Sequence, residues 1–234
     1  VICEIPTNSL NKTFATFYKK IKVEKYVQSI LAEYAVKDSY RVFPTDEEIK
    51  EKLLSKNIYI LKIKNYILEM LENQSHKEPI TITGYGLTVE HIMPQNPNPR
   101  KEWKDMLGKN WEGVQRLYLH TIGNLTLTAY NRELSDRSFE EKKTIKGGFI
   151  DSHLRLNSDL CQLDNWNETT IIDRIKRLAE QITKIWAYPD VDELDIKEYL
   201  DNEKLEVVYT NIDHYQLMSE ETKGLYEQLE RKLL

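Results

Sequence analysis

The sequence predicts an α+β protein that is mostly helical and carries a short antiparallel β-hairpin packed on one helix. Apolar residues recur at helical spacing through much of residues 1–80 and again over residues 168–187. Between these two regions lie two short runs of β-forming residues, each set off by glycine or asparagine. Many helices with few strands are typical of the α+β class.

The composition is that of an ordinary globular protein. The chain has 234 residues, of which 40% are hydrophobic and 30% charged, so it can bury a core without disulfide bonds. Cys3 and Cys161 lie far apart and form no Cys-x-x-Cys motif, which argues against a zinc knuckle and favours a reducing cytoplasmic location. No apolar run has the length of a membrane span, and we expect no membrane partner. Because the sequence begins with Val1, we interpret it as part of a longer protein.

The region before residue 80 predicts about three helices. Phe14 and Phe17 have the spacing of one helical face, and Thr45 with Glu48 has the pattern of a capping box that begins a helix. We interpret residues 1–80 as a helical linker or scaffold.

The middle of the chain predicts strand, loop, strand and helix in that order. Residues 87–89 are β-forming and run into Glu90 and His91, and residues 125–128 alternate as a second strand does. The intervening residues 95–119 have weak periodicity, which predicts a long connection with one short helix near residues 101–107. A polar stretch after Asn131 leads to a further helix near residue 139.

Charge is distributed unevenly along the chain. The formal net charge is −5, so no global positive field attracts a polyanion. Residues 100–146 hold ten basic and seven acidic residues, whereas residues 190–234 hold five basic and thirteen acidic ones. We therefore expect nucleic-acid contacts near residues 100–146 and read residues 191–234 as an acidic tail.

Four residues form a candidate reactive constellation: Glu90, His91, Asn124 and Asn131. Each alone has a structural explanation, since a lone histidine is more often a structural residue and Asn124 could serve only a turn. Together they supply an imidazole, a carboxylate and amide oxygens. Hydrolysis of a phosphodiester needs a base for water, a hard cation at the phosphate and a group that orients the base.

These residues resemble the HNH, or His-Me finger, nucleases, in which two strands and a helix form a ββα-metal core. The order Glu90-His91, then Asn124, then Asn131 is similar to the order of that motif. Residues 90–95, 120–127 and 185–189 more closely resemble the C-terminal nuclease domain of GmrSD-type, modification-dependent restriction systems. The resemblance covers about residues 1–190 and implies a nuclease domain over residues 81–190. The acidic tail, residues 191–234, resembles the truncated start of a further domain.

The resemblance implies a role for each of these residues. His91 is then the general base, Asn124 orients its ring directly or through a backbone carbonyl, and Glu90 and Asn131 are metal ligands. Asn131 stands where histidine is frequent, which favours Mg²⁺ or Mn²⁺ and gives no expectation of structural zinc. His120 is grouped with the catalytic residues, and three roles stay open for it: contact with phosphate, assistance to the metal, or capping of the loop.

Arg132, Lys142 and Lys143 are the candidate nucleic-acid-binding residues, because lysine and arginine supply sequence-independent contacts to phosphate. An ordinary solvated helix face explains the two lysines equally well.

The function implied is a metal-dependent DNA endonuclease, the cleavage module of a type IV-like restriction or phage-defence protein. Its partners are duplex DNA, including modified DNA, and a nucleotide-hydrolysing N-terminal domain of the same longer protein. One alternative is a non-catalytic module that keeps the HNH fold only to hold DNA or a protein, although Glu90, His91, Asn124 and Asn131 are all present. The other alternative is an RNA-directed nuclease, because the same chemistry cleaves either polymer.

Overall fold

The computed structural model confirms an α+β fold that is mostly helical and contains one small sheet in its described part. The structure describes residues 1–8, 10–18, 21–37, 42–74, 76–206, 219–220 and 222–224. Within these ranges, no helix is both long enough and apolar enough to cross a bilayer.

The elements follow one another in the order α1 to α4, β1, α5 and α6, β2, and α7 to α11. Their bounds are α1 Leu10–Phe17, α2 Tyr26–Ala35, α3 Asp46–Leu53, α4 Lys64–Asn73, β1 Thr88–His91, α5 Lys101–Leu107, α6 Trp111–Tyr118, β2 Leu125–Thr128, α7 Asn131–Leu134, α8 Phe139–Thr144, α9 Arg155–Ser158, α10 Glu168–Ile185 and α11 Glu193–Glu206.

The chain divides into two compact units. The first unit comprises residues 1–8 and 43–188, and the second comprises residues 9–42 and 189–234. Residues 43–80 therefore fold together with the hairpin region, whereas the sequence placed a boundary at residue 80. In the second unit α2 packs against α11, and Lys25 Nζ lies 2.7 Å from Glu198 Oε2.

β1 and β2 form an antiparallel pair in which Thr88 lies opposite Thr128 and His91 lies opposite Leu125. All four residues of β2 are buried, while β1 is exposed at its start and buried at its end. The buried end carries Glu90 and His91. The end of β1 therefore places these two polar residues in the interior of the protein.

α10 is the central helix of the first unit and packs on the turn that precedes β2. Its residue Arg174 is buried, and its guanidinium donates to the carbonyl oxygens of Gly123 at 2.7 Å, Leu125 at 2.8 Å and Leu156 at 3.0 Å. Burial lowers the pKa of Arg174 to about 10, so the group stays charged at neutral pH. One side chain thus ties α10 to the start of β2 and to α9.

Several local predictions are confirmed. Thr45 and Glu48 form a capping box at the start of α3, and the short helix expected at residues 101–107 is α5. The expected helix over residues 168–187 is α10, with Asn167 as its cap. Helix α6 was missed within the predicted irregular connection, and the described part of residues 1–80 contains four helices, one more than predicted. The acidic tail lies mostly outside the described residues.

We expect replacement of Arg174 by methionine to reduce the free energy of unfolding by about 3 kcal/mol, because buried carbonyls lose their donor. Urea denaturation measures this change. Arg177→Met is the matched control one turn along the helix, since Arg177 pairs with Asp159 at the surface and its loss should change stability by less than about 1 kcal/mol. Equal effects of the two substitutions would contradict this account of α10.

Candidate active site

A polar cleft of about 370 Å³ lies at the end of β1. Glu90 and His91 form part of its wall, and Asn131 from the start of α7 forms another part. The other lining residues come from four separate segments of the chain: Tyr59, Val89, Pro94, Gln95, Asn96, Ser135 and Asp136. The cleft therefore collects imidazole, carboxylate, amide and hydroxyl groups into one space.

His91 is paired with His120. The Nε2 atom of His91 lies 3.0 Å from the Nδ1 atom of His120, so one imidazole donates to the other. His91 is buried and lines the cleft, whereas His120 is half-buried. Because Nε2 of His91 is engaged in this bond, Nδ1 is its remaining nitrogen.

Both imidazoles are held in the neutral form. Burial lowers the pKa of His91 to about 3, with smaller contributions from His120 and from the charge on Lys142. Burial also lowers the pKa of His120. A neutral pair has one donor and one acceptor for the shared bond, which is what the 3.0 Å contact between the rings requires.

Tyr59 completes a cluster of three rings. Its ring stacks on His120 with centroids 5.4 Å apart and meets His91 edge-on at 4.6 Å. Tyr59 precedes α4, in the region that the sequence assigned to a scaffold. Sequence reasoning missed it, because Tyr59 also fits the apolar periodicity of a helix.

Asn124 is fully buried and binds backbone groups beside the two histidines. Its Oδ1 accepts from the Met93 N–H at 2.7 Å, and its Nδ2 donates to the carbonyls of Met93 at 3.0 Å and Leu119 at 2.9 Å. The indole of Trp166 donates to the same Oδ1 at 3.1 Å. Any influence of Asn124 on the His91 ring therefore passes through the backbone that follows β1.

Glu90 is buried in an ion pair with Lys142. Lys142 Nζ lies 2.5 Å from Glu90 Oε1 and donates to the carbonyl of His91 at 2.8 Å. Burial raises the pKa of Glu90 and lowers that of Lys142, while the attraction between the two opposes both shifts. One oxygen of this carboxylate, in the wall of the cleft, is therefore already bound to Lys142.

Asn131 faces the cleft and not the core. Its Nδ2 donates to the carbonyl of Val89 at 2.8 Å and to the hydroxyl of Thr88 at 3.2 Å. Since the amide nitrogen is hydrogen-bonded to β1, the amide oxygen is the atom that remains to bind a ligand. Asn131, Glu90 and His91 therefore line the same cleft.

The structure differs from the sequence prediction at Lys142 and Lys143. Lys142 is completely buried on Glu90, and Lys143 Nζ donates to the carbonyl of Leu163 at 2.8 Å. Lys142 points into the protein from α8, and the ammonium group of Lys143 also pairs with Glu140 at 3.3 Å, so both cations already have partners within the protein. Arg132 is exposed and directly follows Asn131 in α7, so it is the predicted cation that a polymer can reach.

The donors of the cleft fit a hard divalent cation. Glu90, Asn131 and Asp136 supply carboxylate or amide oxygens to its wall. Mg²⁺ takes few protein oxygens and keeps several waters, so a sparse set of this kind suits it. Among the described residues no group of three or more His, Cys, Asp or Glu side chains has metal-binding geometry. A cation here would therefore rely on amide, water and phosphate oxygens as well.

The comparisons with known proteins bear on this cleft. A family model of the C-terminal domain of GmrSD restriction endonucleases matches residues 43–181, which is more than half of the chain. The chain belongs to this family. Every residue that lines the cleft lies inside the matched range. No curated protein and no solved structure matches the chain.

Membership in the GmrSD C-terminal family indicates a nuclease module of a restriction endonuclease, for which DNA is the implied substrate. The matched residues also coincide closely with the first compact unit, which begins its main segment at residue 43 and ends at residue 188. The family domain is therefore a folded unit that includes α3 and α4.

We expect Asn124→Ala to reduce the free energy of unfolding by about 3 kcal/mol, because the backbone of Met93 and the indole of Trp166 lose buried partners. Chemical denaturation measures the loss. Asn165→Ala, at an exposed asparagine, is the control and should change stability by less than about 0.5 kcal/mol. A neutral Asn124→Ala variant would contradict the bonds described for this amide.

The fold should lose stability in mild acid through His91. Its folded-state pKa is about 3, well below the ordinary value for histidine. At a pH between these two values the unfolded chain therefore binds a proton at His91 and the folded chain does not. The sign is therefore a free energy of unfolding that falls as pH falls, by about 1 kcal/mol for this residue between about pH 7.5 and about pH 5.5.

Urea unfolding of the wild type, His91→Asn and His153→Asn at both pH values checks this dependence. His91→Asn should show a smaller loss of stability on acidification than the wild type, and His153→Asn is the control at an exposed histidine. The same pH dependence in all three proteins would refute the assignment of a buried neutral imidazole at position 91.

Proposed function

We propose that this chain is a divalent-cation-dependent DNA endonuclease of the HNH type, with His91 as the general base. The observation that carries the proposal is the convergence of His91, Glu90 and Asn131 on one polar cleft within the family-matched residues. An imidazole beside oxygen donors is the donor set that phosphodiester hydrolysis needs.

His120 takes the part of the group that orients the base. In the proposed state His91 donates from Nε2 to Nδ1 of His120, so Nδ1 of His91 carries the lone pair. Water then gives a proton to this Nδ1 as its oxygen attacks the phosphorus, and the bond from phosphorus to the leaving oxygen breaks. The resulting imidazolium keeps its hydrogen bond to His120, which stabilises the charge.

The low pKa of His91 is compatible with this role. A base with a pKa of about 3 is weak in the substrate-free protein. A phosphate in the cleft adds negative charge beside the ring, and an adjacent opposite charge raises the pKa of an imidazole. The phosphate therefore raises the basicity of His91, and a divalent cation bound in the same cleft opposes that rise.

Asn131 and Glu90 are the proposed ligands of Mg²⁺ or Mn²⁺. The amide oxygen of Asn131 is the stronger candidate, because its nitrogen is fixed on β1 and Glu90 already has Lys142 as a partner. When bound, such a cation supplies Lewis-acid stabilisation of the negative charge on the phosphate and on the leaving oxygen. Asn131 contributes by holding its oxygen toward the cleft without rearrangement of the strand.

The cleavage module is proposed to act in a type IV-like restriction or phage-defence protein. Arg132 offers a sequence-independent phosphate contact next to Asn131, and such contacts place a polymer without reading its sequence. The choice of modified DNA then belongs to another part of the longer protein, for which a nucleotide-hydrolysing N-terminal domain is the proposed partner.

Supercoiled plasmid incubated with the chain should be nicked in the presence of Mg²⁺ or Mn²⁺ and stay intact in EDTA. His91→Ala should reduce the rate by about 10²- to 10⁴-fold, because the proton acceptor is lost. Asn131→Ala should raise the Mg²⁺ concentration needed for half-maximal rate. Agarose gel electrophoresis over a time course measures all of these rates.

His153→Ala is the matched control, since this histidine is exposed and lies outside the cleft. A single-stranded RNA of equal length is incubated in parallel. Cleavage that persists in His91→Ala would refute the proposed base, and faster cleavage of RNA than of DNA would refute the proposed polymer. Absence of any cation-dependent cleavage would favour a non-catalytic DNA-holding module.

A further inference from the structure

We propose that Tyr59 is a positioning residue of the active site, whose aromatic ring holds the His91 and His120 imidazoles in register for proton transfer. This inference rests on the proposed function of His91 as the base. It extends the active site to the segment between α3 and α4, which lies about thirty residues before the nuclease motif.

The three rings form a closed arrangement. Tyr59 lies almost parallel to His120, with an interplanar angle of 12°, and is tilted by 66° to His91. The two imidazoles are themselves 5.1 Å apart between centroids and inclined at 78°. Each ring therefore contacts the other two, and rotation of either imidazole would break a contact with Tyr59.

The backbone of the same segment also holds His120. The carbonyl oxygen of His120 accepts from the Ile58 N–H at 2.9 Å and from the Tyr59 N–H at 3.4 Å. Ile58 is fully buried in the core, which anchors the segment. Tyr59 thus reaches the imidazole pair through its ring while its own position is fixed by backbone bonds to one of the two residues.

Residues next to Tyr59 in the chain also hold it in place. Asn57 caps the turn by accepting from the Ile60 N–H at 3.1 Å, and Leu61 donates to the Ile58 carbonyl at 3.0 Å. Lys64, the first residue of α4, places its Nζ atom 5.4 Å from the centroid of the Tyr59 ring. These contacts make the ring a rigid wall of the cleft.

The contacts that Tyr59 makes with the histidines use its ring and not its hydroxyl. Stacked and edge-on arrangements are properties of the aromatic system, which phenylalanine shares. A role in positioning therefore predicts that Phe can replace Tyr59 and that an aliphatic residue cannot. A role as general acid would require the hydroxyl and predicts the opposite result for Phe.

The test compares Tyr59→Leu and Tyr59→Phe with the wild type on a short DNA duplex. Tyr59→Leu should lower kcat by about 10- to 100-fold with KM unchanged, because a small displacement of a base is enough to slow proton transfer. Tyr59→Phe should keep the wild-type kcat. Tyr66→Leu is the control, since Tyr66 is an exposed aromatic residue that contacts Trp186 away from the cleft.

A second readout does not depend on cleavage. The imidazole ¹⁵N chemical shifts of His91 and His120 report which nitrogen is protonated, and at one fixed pH they should change in Tyr59→Leu and stay unchanged in Tyr59→Phe and Tyr66→Leu. Thermal denaturation of each variant shows whether it is folded. The shift measurement tests the positioning role even in a variant of reduced stability.

The outcomes separate this inference from the proposed function. If the wild type cleaves DNA but Tyr59→Leu has unchanged kcat and imidazole shifts, the positioning role is refuted and the function of His91 stands. A rise in KM with kcat unchanged refutes positioning and assigns Tyr59 to substrate binding. If no protein cleaves but the shifts change as expected, the ring supports the imidazole pair and the proposed function is what fails.

Discussion

The side chain of Asn124 joins the two chain segments from which the reactive histidines project. It accepts from and donates to the backbone of Met93, two residues after His91, and donates to the carbonyl of Leu119, directly before His120. The 3.0 Å contact between the imidazoles therefore depends on a buried amide whose hydrogen bonds go to the neighbouring backbone and not to the rings themselves. An amide is suited to this task, because one group supplies both a donor and an acceptor.

Helix α10 supports the turn that contains Asn124. Arg174 donates to the carbonyls of Gly123 and Leu125, which flank Asn124 on either side. Gly123 is required there because an added Cβ would approach the Ile171 carbonyl oxygen to 2.8 Å. The site is thus built on buried residues of the first unit, and preorganisation follows from the packing of the core.

Burial also decides the electrostatics of the cleft. Lys142 is buried against Glu90, and Lys143 donates to a backbone carbonyl and pairs with Glu140, so both positive charges already have partners in the protein. The polar wall that remains is rich in oxygen atoms, and the exposed Arg132 directly follows one of its residues, Asn131, in the chain. Such a wall suits a cation and a phosphate bound together better than a phosphate alone, since the oxygens repel an unaccompanied anion.

The sequence by itself determined the local features: the capping box at Thr45, the helix near residue 139, the two strands, α10, and the candidate residues at the end of β1. These features depend on residues close together in the chain, which is why spacing reveals them. Only the tertiary structure decided that Lys142 lies on Glu90, that His120 meets His91, and that Tyr59 joins them. Those contacts link residues 29 to 61 positions apart, and a charge or a ring has no periodicity that shows which distant partner will bury it.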